Sequence, residues 1–170
     1  MAETIEVIER EAQPVLVVHS TASVFKIAKT LANSFDQVTT QIRVSGAESV
    51  GAPFARYSGI DWADVTSKGV LGQIWQMLTE KMNISAGMPV AGGAEGKGAV
   101  EAIELPAGRY LRTFHVGPYQ KVGNTYKKLV AWAAEQNLTM DSWSFESYVD
   151  DPTTKPMAEV RTEVFVALKD

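Results

Sequence analysis

The five residues IEVIE at positions 5–9 and the five residues VEAIE at positions 100–104 are two copies of one pattern of apolar and acidic side chains. The correspondence continues at the same offset of 95 positions through Leu16 and Leu111. A repeat this long indicates a duplicated folding unit rather than a solenoid. The chain is therefore predicted to consist of two similar halves.

Each copy of the pattern is followed by the same order of predicted elements. Apolar residues at helical spacing run over residues 24–42 in the first half and over residues 122–133 in the second. Both halves then become extended, and their last strands are predicted near residues 83–90 and 160–168. Each half is thus expected to form a β-α-β-β unit of an α+β fold with pseudo-twofold symmetry. Helices should cover one sheet face, and the other faces should meet across a groove between the halves.

One domain is expected to contain all 170 residues. The glycine-rich segment AGGAEGKG at residues 91–98 is predicted to be a linker between half-repeats at about 1–90 and 99–170. The segment Trp62 to Met82 has no counterpart in the second half, and within it Val70–Lys81 is predicted to be an inserted helix. Its apolar residues surround most of the helix, so it is expected either to be buried in the core or to cover a ligand.

Composition and charge exclude several classes of function. The net charge is −4, and neither half has the basic face with which proteins neutralise nucleic-acid phosphates, so no direct nucleic-acid partner is expected. The chain has no cysteine and only two histidines, His19 and His115, so no metal site is expected. The glycine-rich segment lacks the spacing of a phosphate-binding loop, and no cofactor is expected. No run of residues is typical of a signal peptide or membrane span, which favours the cytoplasm and no membrane partner.

A Phe-x-x-Tyr pattern occurs at residues 54–57 and again at residues 145–148, and only the second copy carries an acid, Glu146. The surrounding sequence, WSFESYV, is aromatic and is predicted to be a strand. A carboxylate inside a sheet must find donors, bind a cation or take up a proton. The alternative is that Glu146 faces water on an exposed sheet face.

Strand alternation places Glu146 and Tyr148 on one face and Phe145 and Ser147 on the other. The acid therefore has an aromatic neighbour on its own face. A negative charge among aromatic rings is typical of sites for organic cations. This pattern favours Glu146 as a ligand-binding residue.

Five motifs in the second half, taken in order, resemble the gyrase-inhibitor-like (GyrI-like) effector-binding family. They are ELPAGRY at residues 104–110, HVGPY at 115–119, Tyr126 with Trp132, Phe145-Glu146-x-Tyr148 followed by Asp151-Pro152, and RTEVFV at 161–166. The first half matches more loosely, through Met88-Pro89-Val90 and the repeat itself. The resemblance implies two tandem β-α-β-β units with a ligand groove between them. Effector domains of multidrug-responsive bacterial transcription regulators have this arrangement.

The resemblance also implies roles for particular residues. A glutamate on the first strand after the second helix contacts lipophilic cations in such domains, and Glu146 matches it. Tyr119 at the entrance of the second helix, and Tyr57 through the internal repeat, are expected to form aromatic walls of the groove. Tyr148 and Trp75 complete the predicted ligand-binding set. The inserted helix should pack over one end of the groove and place Trp75 or Trp62 against the ligand.

The function predicted from these features is binding of lipophilic, cationic organic compounds in the groove, with Glu146 as counter-charge. Because no helix-turn-helix pattern precedes the motifs, a stand-alone binder that sequesters its ligand is expected. One alternative is a hydrolase of strained, cyclopropane-type electrophiles, with Glu146 as general base and Tyr119 as proton donor. Another is a protein-interaction module that acts on gyrase or on a regulator.

Overall fold

The computed structural model describes residues 3–67 and 80–170 of the chain, and in them eight strands form one antiparallel sheet. The strands are β1 (Glu6–Arg10), β2 (Gln13–Ala22), β3 (Phe54–Ser58), β4 (Met82–Pro89), β5 (Val100–Leu105), β6 (Gly108–Val116), β7 (Met140–Ser147) and β8 (Arg161–Leu168). The helices of the described residues are α1 (Ile27–Ser45), α2 (Trp62–Ser67) and α3 (Val122–Glu135). The predicted α+β class with duplicated units is confirmed.

The strand order is β1-β6-β8-β7-β3-β4-β2-β5, which is symmetric about the β7–β3 pair. Each half contains one strand more than the predicted β-α-β-β unit, because the first extended stretch divides into two strands. The first strand of each half pairs with the second strand of the other half, β1 with β6 and β5 with β2. The two halves therefore exchange edge strands and form a single continuous sheet.

Short connections curl this sheet. Only residues 11–12 join β1 to β2, and only residues 106–107 join β5 to β6, although each pair is far apart in the strand order. Two residues span at most about 7 Å, so the sheet must bend until these strands approach each other. The bend encloses a cluster of buried side chains from both halves that includes Val15, Phe54, Tyr110, Phe145 and Phe165.

The two long helices cover the opposite side of the sheet, here called the helix face. Leu16 and Val18 of β2 pack there with Val38 of α1, and Leu111 of β6 packs with Leu129 of α3. Both helices follow a short 3-10 turn, Val24–Lys26 before α1 and Tyr119–Lys121 before α3. The side of the sheet that carries Phe145, Phe165 and Arg56 is called the back face.

Several sequence-based predictions concern segments that the structure describes only in part. The helix predicted over Val70–Lys81 lies outside the described residues, and Trp75 with it, except that Glu80 and Lys81 are described and are not helical. Residues 91–98 contain no helix and no named strand. The division into half-repeats joined by a linker stays a prediction. No helix within residues 3–67 and 80–170 is both long and apolar enough to cross a membrane.

Candidate functional site

Glu146 lies at the centre of the sheet, where the two halves meet. It is directly opposite Ala55 in the β3–β7 register. These two residues also occupy the same place in the repeated Phe-x-x-Tyr pattern, so the pseudo-twofold relation exchanges them. The axis therefore passes between them, and the small side chain of Ala55 leaves room for the single carboxylate.

The carboxylate of Glu146 lies on the helix face, and only 6% of the residue is exposed. The hydroxyl of Tyr126 in α3 donates to its Oε1 at 2.9 Å, and the hydroxyl of Tyr148 donates to its Oε2 at 3.2 Å. Behind these, the Tyr57 hydroxyl lies 3.3 Å from that of Tyr148, and the Ser144 hydroxyl lies 3.1 Å from that of Tyr126. Because an ionised carboxylate only accepts, Tyr57 and Ser144 must donate to the two inner tyrosines.

Burial sets the electrostatics of this cluster. Desolvation raises the pKa of Glu146 from its ordinary 4.5 to about 7, against the opposing effect of the two tyrosine hydrogen bonds. Burial, and then the charge of Glu146, raises the pKa of Tyr57, Tyr126 and Tyr148 above the ordinary value of 10. All three therefore remain protonated donors at neutral pH. Within residues 3–67 and 80–170, no basic side chain forms an ion pair with Glu146.

Aromatic rings surround the hydroxyl cluster. Tyr119 packs edge-to-face against Tyr148 with ring centroids 5.7 Å apart, and Phe35 of α1 approaches the same ring at 6.1 Å. Trp62 stacks on Tyr126 at 5.8 Å, and its indole N–H donates to the carbonyl of Asp141 at 2.6 Å. The ring faces and edges gathered here suit an apolar, aromatic or cationic group.

The structure brings together most of the residues that the sequence singled out. Glu146, Tyr148, Tyr57 and Tyr119 form one connected cluster on the helix face. The sequence had led us to expect this acid in a groove between the helix-free faces. Instead its side chain lies on the helix face of β7, and the back face is filled with aromatic core residues. Trp75 lies outside the described residues. Trp62, its alternative, reaches Glu146 only through Tyr126.

Tyr126 belongs to this cluster although its sequence pattern alone did not assign it to the site. Tyr126 on α3 corresponds to Leu31 on α1, because the two positions differ by the same 95 residues that relate the two halves. A hydroxyl in an otherwise apolar helical stripe was the available signal, because a buried phenol needs a hydrogen-bond partner. Only the contact across to β7 shows that this partner is Glu146.

We expect Glu146 to make the folded chain less stable as the pH rises. Its pKa is about 7 in the fold and near 4.5 when exposed, so between these values the folded chain retains a proton that the unfolded chain has released. The stabilising contribution is complete below about pH 4.5 and is lost as the pH rises through 7, a loss of about 3 kcal/mol. Urea unfolding of the parent and Glu146→Gln at pH 5 and pH 8 measures it.

Between pH 5 and pH 8 the unfolding free energy of Glu146→Gln should rise relative to that of the parent. The other titrating groups are common to both proteins, so their contributions cancel in this comparison. A difference in unfolding free energy that does not change with pH would contradict the raised pKa of Glu146.

A family model described as the GyrI-like small molecule binding domain matches residues 3–169. No protein of curated function matches the sequence. The family match covers both halves and includes every residue of the cluster around Glu146.

Three solved proteins have similar folds at low sequence identity. The C-terminal domain of EcmrR matches with a TM-score of 0.76 at 17% identity, covering 100% of this chain and 99% of that one. SAV2435, solved with tetraphenylphosphonium bound, matches with a TM-score of 0.64 at 14% identity, covering 98% and 94%. A hydrolase from Listeria innocua matches with a TM-score of 0.61 at 11% identity, covering 97% and 91%.

EcmrR has also been solved in a complex with DNA, and the chain there is longer than this one. The match has a TM-score of 0.74 at 17% identity, and it covers 99% of this chain but 58% of that chain. Likeness at these identities shows a shared fold.

Proposed function

Since this chain belongs to the GyrI-like small molecule binding domain family, we propose that it binds lipophilic organic cations on the helix face, with Glu146 as their counter-charge. In this proposal the domain sequesters its ligand. A single domain binds the ligand. Its half-repeats, at about 1–90 and 99–170, share the site and are joined by a linker at 91–98. A protein partner that recognises the ligand-bound site is compatible with the same surface.

The absence of a cation beside Glu146 in the described residues carries this proposal. Burying an ionised carboxylate costs several kcal/mol unless charge or hydrogen bonds compensate. Two phenol hydrogen bonds compensate only in part, because the pKa of Glu146 stays raised to about 7. A bound organic cation would supply the missing charge, and its hydrophobic groups would occupy the apolar surroundings without needing hydrogen bonds.

The aromatic walls support a large, apolar ligand rather than an ammonium ion alone. Tyr57, Tyr119 and Tyr148 present rings on one side of Glu146, and Tyr126 presents its ring on the other. Because only 6% of Glu146 is exposed, a ligand reaches it by displacing part of this aromatic cover. Trp75 is proposed as a further wall residue on the sequence argument alone.

Two ions of the same shape and opposite charge test the proposal. Tetraphenylphosphonium and tetraphenylborate carry four phenyl rings on one central atom, so their apolar contacts are matched. At pH 8, where Glu146 is ionised, we expect the phosphonium to quench tryptophan fluorescence at a concentration at least tenfold lower than the borate. Equal affinity for the two ions would show that shape alone drives binding, and would remove the counter-charge role from Glu146.

A second function is supported by the same carboxylate. A buried acid with a pKa near 7 is suited to removing a proton from water at neutral pH, and the phenols of Tyr126 and Tyr148 lie beside it as donors. Such a site could open a strained, cyclopropane-type electrophile. Tyr119, the donor first expected, contacts Tyr148 rather than the carboxylate. Incubation with a cyclopropane-containing alkylating compound, followed by mass spectrometry, tests this second function. An enzyme would consume many equivalents of the compound, and Glu146→Gln would lose this activity.

A further inference from the structure

A serine, a histidine and a glutamate lie side by side on the back face of the sheet, and the histidine hydrogen-bonds the serine and lies within ion-pair distance of the glutamate. His19 of β2 is directly opposite Ser85 of β4, and its Nδ1 lies 2.7 Å from the Ser85 hydroxyl. The other ring nitrogen, Nε2, lies 3.3 Å from Oε2 of Glu101 on β5. Three adjacent strands therefore hold the three side chains in line. None of them takes part in the cluster around Glu146.

The hydrogen-bonding capacities of these groups fix the direction of proton transfer. A glutamate carboxylate only accepts hydrogen bonds, so Nε2 of neutral His19 carries the hydrogen that faces Glu101. Nδ1 then has a free lone pair and accepts the hydroxyl hydrogen of Ser85. This is the order of nucleophile, base and orienting acid that activates a serine for attack, with the two imidazole nitrogens in exchanged roles.

The serine borders a depression large enough for a small substrate. It has a volume of about 530 Å³ and is lined by His19, Ser20, Thr21, Ser58, Asn83, Ile84 and Ser85. Asn83 lies two residues from Ser85 on the same face of β4, so its amide is a hydrogen-bond donor on the side where a substrate would lie. All of the lining residues except Ile84 carry a polar group, so the depression offers hydrogen bonds as well as apolar surface to a short substrate.

A cation lies on the other side of the serine. Arg56 of β3 is directly opposite Ser85, and its guanidinium stacks over Trp143 at 4.1 Å. Its buried Nε has no hydrogen-bond partner within residues 3–67 and 80–170. An unpartnered buried donor is unusual in proteins. A negative charge that develops on a substrate oxygen beside Ser85 would be stabilised by this guanidinium.

We propose that the back face contains a second, independent site in which Ser85 cleaves small acyl esters, with His19 as general base and Glu101 as the positioning residue for His19. The Ser85 oxygen forms a bond to the ester carbonyl carbon while its proton passes to Nδ1 of His19 and the π electrons of the carbonyl move to the carbonyl oxygen. The carbonyl then re-forms, the bond from its carbon to the alcohol oxygen breaks, and the alcohol leaves with the proton from His19. Water releases the acid from Ser85 by the same two proton transfers.

A fluorophosphonate probe tests the nucleophile directly, because it phosphonylates an activated serine and loses fluoride. At pH 8 we expect intact-mass spectrometry of the folded full chain to show one added phosphonate group, located at Ser85 by peptide mapping. Ser85→Ala should abolish the modification. Ser45→Ala is the matched control, since Ser45 is an exposed serine at the end of α1, outside the depression, whose hydroxyl donates to the carbonyl of Ile42 rather than to a histidine, and it should label as the parent does. His19→Gln should slow labelling at least tenfold while leaving the circular dichroism spectrum unchanged.

Glu146→Gln separates this proposal from the cation site, because the two sites lie on opposite faces of the sheet. It should weaken cation binding and leave the labelling rate of Ser85 within twofold of the parent. An unlabelled parent, equal labelling in Ser85→Ala, or a rate that does not depend on His19 would each overturn the proposal.

Discussion

Glu146→Gln is expected to weaken binding of tetraphenylphosphonium about 100-fold at pH 8. The change removes one charge and keeps the shape of the side chain, while its amide oxygen still accepts a hydrogen bond from one of the two tyrosines, Tyr126 or Tyr148. Two unit charges about 5 Å apart at an effective dielectric constant near 20 attract by about 3 kcal/mol. About 1.4 kcal/mol corresponds to a tenfold change in affinity. Fluorescence titration and calorimetry on both proteins measure the difference.

The pH dependence provides the control for this result. A proton competes with the cation for Glu146, so the parent should bind about tenfold more weakly at pH 6 than at pH 8, on either side of a pKa of about 7. The Gln variant should bind equally at both values because it has no proton to exchange there. A parent whose affinity is the same at pH 6 and pH 8 would contradict the assignment of Glu146 as the counter-charge.

Gly87→Ala is expected to cause the largest loss of stability from a single methyl group. A Cβ on Gly87 would overlap the carbonyl oxygen of Leu16 and lie 2.9 Å from the Cα of Val17. Both neighbours are backbone atoms of the adjacent strand β2, which is paired on both sides, so they cannot move aside as a flexible side chain would. Overpacking of this kind costs about 3 kcal/mol, which lowers the melting temperature of a chain this size by about 10 °C.

Gly92→Ala is the matched control for this prediction. A Cβ at Gly92 would meet no atom within 4 Å, so its unfolding free energy should stay within about 0.5 kcal/mol of the parent. Differential scanning calorimetry compares the three proteins. Equal melting temperatures for Gly87→Ala and the parent would show that β2 and β4 are not held as closely as the fold requires.

The local pattern of residues predicted the individual elements well. Period-two alternation placed Glu146 and Tyr148 on one face and Phe145 on the other, and this holds because side-chain direction along a strand depends only on neighbouring residues. The apolar spacing that predicted α1 and α3 is equally local. The division of the first extended stretch was not predicted. Residues 11 and 12 separate β1 from β2 because those two strands pair with different halves of the sheet.

The contact between His19 and Ser85 shows what composition does not reveal. Two histidines are too few for a typical zinc site, and the sequence by itself favours ordinary packing or surface roles for both. The sequence distance between His19 and Ser85 hides their contact, which exists only because β2 and β4 pair in one particular register. His115 does fit the expected packing role. Its ring joins Thr125 of α3 at 2.9 Å to the carbonyl of Pro118, also at 2.9 Å, and so fixes the turn before Tyr119.

The sequence by itself determined that the chain is duplicated, that each half alternates strands with one long helix, and that one acid lies in an aromatic strand. These properties follow from repeats and periodicities within short segments. The tertiary structure decided that the halves exchange edge strands, that Glu146 lies beside the pseudo-twofold axis and opposite Ala55, and that Tyr126 donates to Glu146. Those facts depend on which strands pair and in what register, and long-range packing between distant segments sets both.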